Sequence, residues 1–242
     1  MFDFHTHILP GIDDGSSSVE ESIAMLEMLK EQGVEGVAAT PHFYAEDTSP
    51  EDFFEKRRAS WEALKPHLKP DYPEIRLGAE VLYFEGINRH DNLERFCIEG
   101  TNLLLLEMPS GVWTKRMLSA IVELNERENI TVVLAHVERY MREQERSTGE
   151  FLIKCGIRLQ ANAEFFIARS TRRTAMKMFR DKAIHLLGTD CHNATTRKPN
   201  MAQAIEIIEH KKGIEMLQRM KARVNMFLSE SSWSIKGNDG LS

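Results

Sequence analysis

Cysteine is scarce in this chain: Cys97, Cys155 and Cys191 are odd in number, widely spaced, and form no C-x-x-C pair. Structural zinc and dithiol redox sites of that type are therefore excluded, and a reducing compartment is expected. No apolar run approaches the roughly 20 residues of a membrane-crossing helix. The Met-Phe-Asp-Phe-His start also lacks the basic, then apolar, order of a secretory signal. The expected location is the cytoplasm, without embedding in a membrane. Positive charge is in deficit as well, with 31 Lys and Arg against 37 Asp and Glu and a net charge of -6. Nothing in that balance gathers nucleic acid, so none is expected as a partner. Trp61, Trp113 and Trp233 show no spacing of a base-stacking platform and read as packing residues.

What is present is the pattern of an ordinary folded protein, 42% hydrophobic and 28% charged over 242 residues. Short apolar runs at 2–4, 36–40, 75–79, 103–106, 131–135, 157–161 and 184–188 read as strands. Helical spacing follows at 18–32, 51–67, 114–128, 145–155, 170–181 and from about 200 to 222. Ser18 with Glu21 reads as a capping box opening the first helix, and Gly33 as its stop. Repeated strand-helix order predicts a parallel sheet covered by helices. The expected fold is α/β, a single-domain, distorted TIM-like barrel of about seven parallel strands over residues 1–242. The polar Ser- and Gly-rich stretch from about 231 is expected to be a flexible tail.

The candidate functional residues share one topological place, the exit of a strand. His5 and His7 leave the first strand on one face, since alternate strand residues point the same way. His42 follows Val37-Ala38-Ala39-Thr40-Pro41, Glu80 follows Gly78-Ala79, and Glu107 follows four leucines. His136 follows Val132-Val133-Leu134-Ala135, and Asp190 and His192 follow Leu186-Leu187-Gly188-Thr189. Taken alone, Glu107 is better read as half of an ion pair, and a single His-x-His is as often unremarkable as not. A barrel, however, brings strand C-termini to one mouth, where several carboxylates and imidazoles need a divalent ion between them. Asp13 and Asp14, in Gly11-Ile12-Asp13-Asp14-Gly15, can join them or form an ordinary turn. His67, His90, His185 and His210 receive no role. Cys191 lies between two candidates but alternates away from their face, and reads as packing.

These segments resemble the PHP (polymerase and histidinol phosphatase) superfamily and, within it, the bacterial CpsB/CapC/YwqE-type manganese-dependent tyrosine phosphatases. The resemblance covers about residues 1 to 210. It rests on Asp3-Phe4-His5-Thr6-His7 through Asp13-Asp14-Gly15, Ala39-Thr40-Pro41-His42, Gly78-Ala79-Glu80, Leu106-Glu107-Met108, Ala135-His136-Val137-Glu138-Arg139-Tyr140 and Thr189-Asp190-Cys191-His192-Asn193. It implies the PHP fold and three divalent metal ions. His5, His7, Glu80 and Asp190 would hold one ion; Glu80, Glu107 and His136 a second; Asp14, His42 and His192 a third. It further implies that Arg139 and Arg197 contact the substrate phosphate. The nitrogen and oxygen donors suit manganese, iron or zinc, and the resemblance favours manganese. Four carboxylates against three divalent ions leave a positive surplus that attracts an anion. Ions sharing ligands would also activate water for attack on phosphorus. The implied substrate is a phosphotyrosine protein, a bacterial tyrosine autokinase governing capsular or exopolysaccharide synthesis. The alternatives are a small-molecule phosphatase, such as one acting on histidinol phosphate, and a non-catalytic regulatory barrel. No Cys-x5-Arg loop is present, which argues against a cysteine nucleophile. Phe43-Tyr44-Ala45-Glu46 and Glu164 depart from the family pattern, and the match is poor beyond about 222.

Overall fold

Apolar runs too short for helices become parallel strands in a computed structural model of the protein, which describes residues 1–140, 142–211 and 213–229. The tail expected from about 231 lies outside these residues. The chain opens with β1 (Phe2–Thr6) and α1 (Val19–Glu31), then β2 (Gly36–Ala39), β3 (His42–Phe43) and α2 (Pro50–Leu64). Next come β4 (Glu74–Leu77), β5 (Glu80–Leu82), β6 (Leu103–Glu107), α3 (Lys115–Asn125), β7 (Thr131–Leu134) and α4 (Arg146–Lys154). The last third holds β8 (Arg158–Asn162), α5 (Ala163–Ile167), α6 (Arg172–Arg180), β9 (Leu186–Gly188), α7 (Met201–His210) and α8 (Ile214–Ser229).

The strands pair in parallel in the orders β1-β2-β4 and β3-β5-β6-β7-β8-β9. Two expected strands are each interrupted and resume as a short second piece. β2 breaks at Thr40-Pro41, where proline has no N–H for the ladder, and continues as β3. β4 breaks at Gly78-Ala79 and continues as β5. Hydrogen bonds from Gly78 N–H to Ala39 O (2.8 Å) and from Glu80 N–H to Pro41 O (3.0 Å) carry the pairing past both breaks. At the far ends, Asp190 N–H donates to His5 O (2.8 Å) and His7 N–H to Cys191 O (2.9 Å), so the curled sheet meets itself beside β1. All C-terminal strand ends therefore face one mouth.

Alternation explains how β6 can be buried on both faces and still deliver a carboxylate. Leu104 and Leu106 pack in one apolar cluster with Ile121 and Leu124 of α3, while Leu103 and Leu105 belong to a second cluster with Val133. Glu107 continues the face of Leu103 and Leu105 and emerges at the rim. Cys191 is buried in that second cluster, beside Leu186 and Leu187.

Helix boundaries follow local chemistry. Ser18 Oγ accepts the Glu21 N–H (3.3 Å), but the Glu21 carboxylate turns to Ser17 N–H (2.9 Å) and Oγ (2.7 Å). Only half of the expected capping box is thus formed. α2 ends before Pro66, and residues 65–67 continue as a single 3-10 turn. The helical stretch expected from about 200 to 222 is two helices, α7 and α8. At the corner a side chain on Gly213 would lie 2.5 Å from Ile208 Cγ2. α5, five residues long, was not expected because so short a segment carries no readable periodicity. Among the described residues, no helix is long and apolar enough to cross a membrane.

Candidate metal centre

The nine expected ligands come together at the mouth although the chain delivers them from seven places. In four overlapping groups, donor atoms lie within 4.8 Å of one another: His7, Asp14, His42 and His192; His5, His7 and Asp190; His5, Glu80 and His136; His42, Glu80 and Glu107. Glu80 is central. One oxygen lies 2.7 Å from His136 Nε2, and the other lies 3.0 Å from His5 Nε2, 3.3 Å from His7 Nε2 and 3.1 Å from His42 Nδ1. Asp190 Oδ1 stands 3.6 Å from His5 Nε2 and 3.5 Å from His7 Nε2. Glu107 lies 3.5 Å from His136 Nε2, and exposed Asp14 lies 3.4 Å from both His42 Nε2 and His192 Nε2.

Several observations fit divalent cations in this space. His5 Nε2 and His7 Nε2 face each other at 3.1 Å, although His7 Nδ1 is already bound to Asp13 (2.8 Å). Buried His42 Nδ1, Glu80 Oε2 and His192 Nε2 have no hydrogen-bond partner among the described residues. Unsatisfied buried polar atoms are costly, and lone pairs converging on one region are the donor set of a hard or borderline cation. The titration behaviour shows how strongly these groups act on one another. Burial opposes charge on His7, yet its hydrogen bond to Asp13 and the neighbouring Glu80 carboxylate outweigh it and lift the group to about 10, so a bound cation must displace that proton. Burial also opposes charge on Asp190, but the neighbouring His5 and His7 hold it down at about 2. Burial and then the charge of Glu80 push Glu107 up to about 7. Burial keeps His42, His136 and His192 in the neutral form that a ligand needs.

Arg139 and Arg197 stand at the rim, half exposed, and both reach Asp190. Arg139 Nη2 pairs with Asp190 Oδ2 and its Nη1 lies 3.7 Å from Glu107; Arg197 Nη2 is 3.0 Å from Asp190 Oδ1. Tyr44, in the segment that departs from the family pattern, stacks on His42 with ring centroids 5.1 Å apart. Glu164, the other departure, accepts a hydrogen bond from Asn200 (3.2 Å).

The supporting groups were mostly illegible in the sequence. Asp13 was open between turn and site; its carboxylate takes His7 Nδ1 and the His42 backbone N–H (3.0 Å), orienting the His7 ring and tying down the backbone that carries His42. Tyr140 Oη lies 3.2 Å from His136 Nδ1 and accepts the Met108 N–H at 3.2 Å. Buried Asp3 accepts from Thr189 N–H (2.9 Å) and Oγ1 (2.7 Å), tying β1 to the segment that carries Asp190. Only the hydrophilic positions in the inward pattern of strands could have signalled Asp3.

The sequence model for capsular polysaccharide synthesis proteins of the CpsB/CapC type matches residues 1–227. The chain belongs to the CpsB/CapC family. The match runs past the 210 residues of the resemblance and takes in nearly all of α8. The tyrosine-protein phosphatase CpsB of Streptococcus agalactiae serotype V is 26% identical, over 98% of this chain and 99% of its own length. CpsB of Streptococcus pneumoniae is 28% identical over 91% and 94%, and the Bacillus subtilis tyrosine-protein phosphatase YwqE is 24% identical over 94% and 91%. Crystal structures of YwqE and CpsB, described as metal-dependent tyrosine phosphatases, include a chain that superposes with a TM-score of 0.81 at 23% identity, covering 94% of each chain. The likeness to that structure fixes this chain's fold as that of the family.

Proposed function

We propose that this family member is a manganese-dependent phosphomonoester hydrolase whose substrate is phosphotyrosine on a protein, a bacterial tyrosine autokinase of capsular or exopolysaccharide synthesis. The reading is carried by one observation: nine carboxylate and imidazole side chains from seven places converge on one mouth with buried lone pairs left unpaired. The curated relatives, named as tyrosine-protein phosphatases, support the choice of substrate. We assign the residues to one domain spanning 1–242, acting in the cytoplasm.

In this reading His5, His7, Glu80 and Asp190 hold one divalent ion, Glu80, Glu107 and His136 a second, and Asp14, His42 and His192 a third. Manganese is preferred, and the same donors accept iron or zinc. Ions so held supply concentrated positive charge and an activated water for displacement at phosphorus. The protein's own part is positional. Asp13 fixes the ring of His7, so that Nε2 keeps its lone pair toward the centre. Tyr140 does the same for His136 through Nδ1. Arg139 and Arg197 rest on Asp190 with guanidinium groups partly in solvent, so each has donors to turn toward phosphate oxygens. The thiol of Cys191 is buried and its ionisation suppressed by that burial, so the chemistry needs no thiolate.

The test is a comparison of hydrolysis rates for a phosphotyrosine peptide, a phosphoserine peptide and histidinol phosphate, with added manganese and again after chelation. A chelator-sensitive preference for the phosphotyrosine peptide is expected. Preference for histidinol phosphate would replace the substrate, and metal binding without turnover would favour a regulatory barrel.

A further inference from the structure

β8 runs to the mouth and gives it no candidate ligand, yet its inward residues are not apolar. Gln160 is fully buried and Asn162 nearly so, and alternation puts both on one face, in register with Leu186 and Gly188 of β9. Strands buried on both faces ordinarily read as continuous hydrophobic runs, so two buried amides need an explanation.

Their hydrogen bonds supply one. Gln160 Oε1 accepts the His136 backbone N–H at 2.6 Å and lies 3.4 Å from His5 Nδ1. Gln160 Nε2 donates to Asn162 Oδ1 (2.9 Å), and Asn162 Nδ2 donates onward to Asp190 Oδ2 (2.9 Å). One chain of amides thus joins His5, His136 and Asp190. A second observation makes the connection specific. His136 and Asp190 both have left-handed backbones, with φ of 30° and 54°, a conformation disfavoured for residues other than glycine. Both are held by this pair. Asn162 also stands at the N-cap of α5, where asparagine normally caps, but its side chain makes no capping bond. Its amide goes to the mouth instead.

We infer that Gln160 and Asn162 are positioning residues, a polar strut on β8 that holds His5, His136 and Asp190 in the geometry that binds ions. This rests on the metal-centre reading above. The strut acts by fixing ligands and touches neither phosphate nor ions.

Metal-freed wild type, Gln160→Leu and Asn162→Ala are titrated with Mn2+ by calorimetry, and thermal unfolding of each metal-free protein is recorded. The expected result is about a 10–100-fold loss of ion affinity in each variant, the usual effect of removing a group that orients a ligand. The metal-free unfolding temperatures should stay close to wild type. Unchanged affinity overturns the inference, whatever the unfolding temperature. Lost affinity with collapsed metal-free stability also overturns it, since the pair would then serve packing. Wild type that binds no manganese overturns the metal-centre reading itself, a separate outcome. Where Gln160→Leu does not fold, Asn162→Ala, at the strand's end, decides alone.

Discussion

At the residue scale, what a side chain does here depends on which others share its space. Glu107 would be an unremarkable ion-pair partner of Arg139 at 3.7 Å were His136 and Glu80 not beside it. The ligand and rim positions can be separated by substitution. His136→Ala removes a donor from the centre of the cluster and is expected to lower phosphotyrosine turnover by at least about 100-fold, at the strong end of what loss of a site group costs. Circular dichroism should remain that of the wild type; wild-type turnover would remove His136 from the site. Arg139→Ala should instead keep the metal content found by elemental analysis while weakening kcat/KM. Loss of metal in that variant would show that Arg139 shapes the centre. The cysteines give a third expectation. Burial pushes the Cys97 thiol up to about 12 and the Cys191 thiol also upward. Neither should react with a thiol reagent at pH 8 until the protein is unfolded. Rapid labelling of both in native protein would contradict their packing.

At the scale of the element, strand exits set the ligands and small residues let the strands approach. A side chain on Gly188 of β9 would lie 2.5 Å from His5 Cβ and 2.9 Å from Gln160 Nε2. Gly188→Ala must displace His5 or β9 itself, and is expected to lower both thermal stability and metal content. An alanine variant with full metal content would mean that β9 can yield at that point. Ser18→Ala, far from the mouth, removes the cap of α1 and should cost about 0.5–2 kcal/mol of stability with turnover unchanged. The capping signal at Ser18 was legible because it is local. The breaks in β2 and β4 and the five-residue α5 were not, since they follow from how neighbouring strands meet.

At the scale of the whole molecule, ions would act as a clasp across the curled sheet, because their ligands come from both ends of the chain. Binding to the folded state alone adds about 2.7 kcal/mol of stability at an ion concentration 100 times Kd. Chelation should therefore lower the unfolding temperature, and manganese should restore it; an unfolding temperature indifferent to both would count against a bound metal in the fold. The order of apolar runs and the residues that follow each run are properties of the sequence, and they determined the strand-helix alternation and the position of eight of the nine proposed ligands, Asp14 being named through the family resemblance. Such features survive reading because β-strand alternation is a local rule. The sequence could not determine that Asp13 serves His7, that Asp3 binds Thr189 across 186 residues, or that β8 contributes two amides and no ligand. Those were decided by the tertiary structure, since a hydrogen-bond partner is chosen by distance in space, and only the closing of the sheet brings His5, His136 and Asp190 within reach of Gln160 and Asn162.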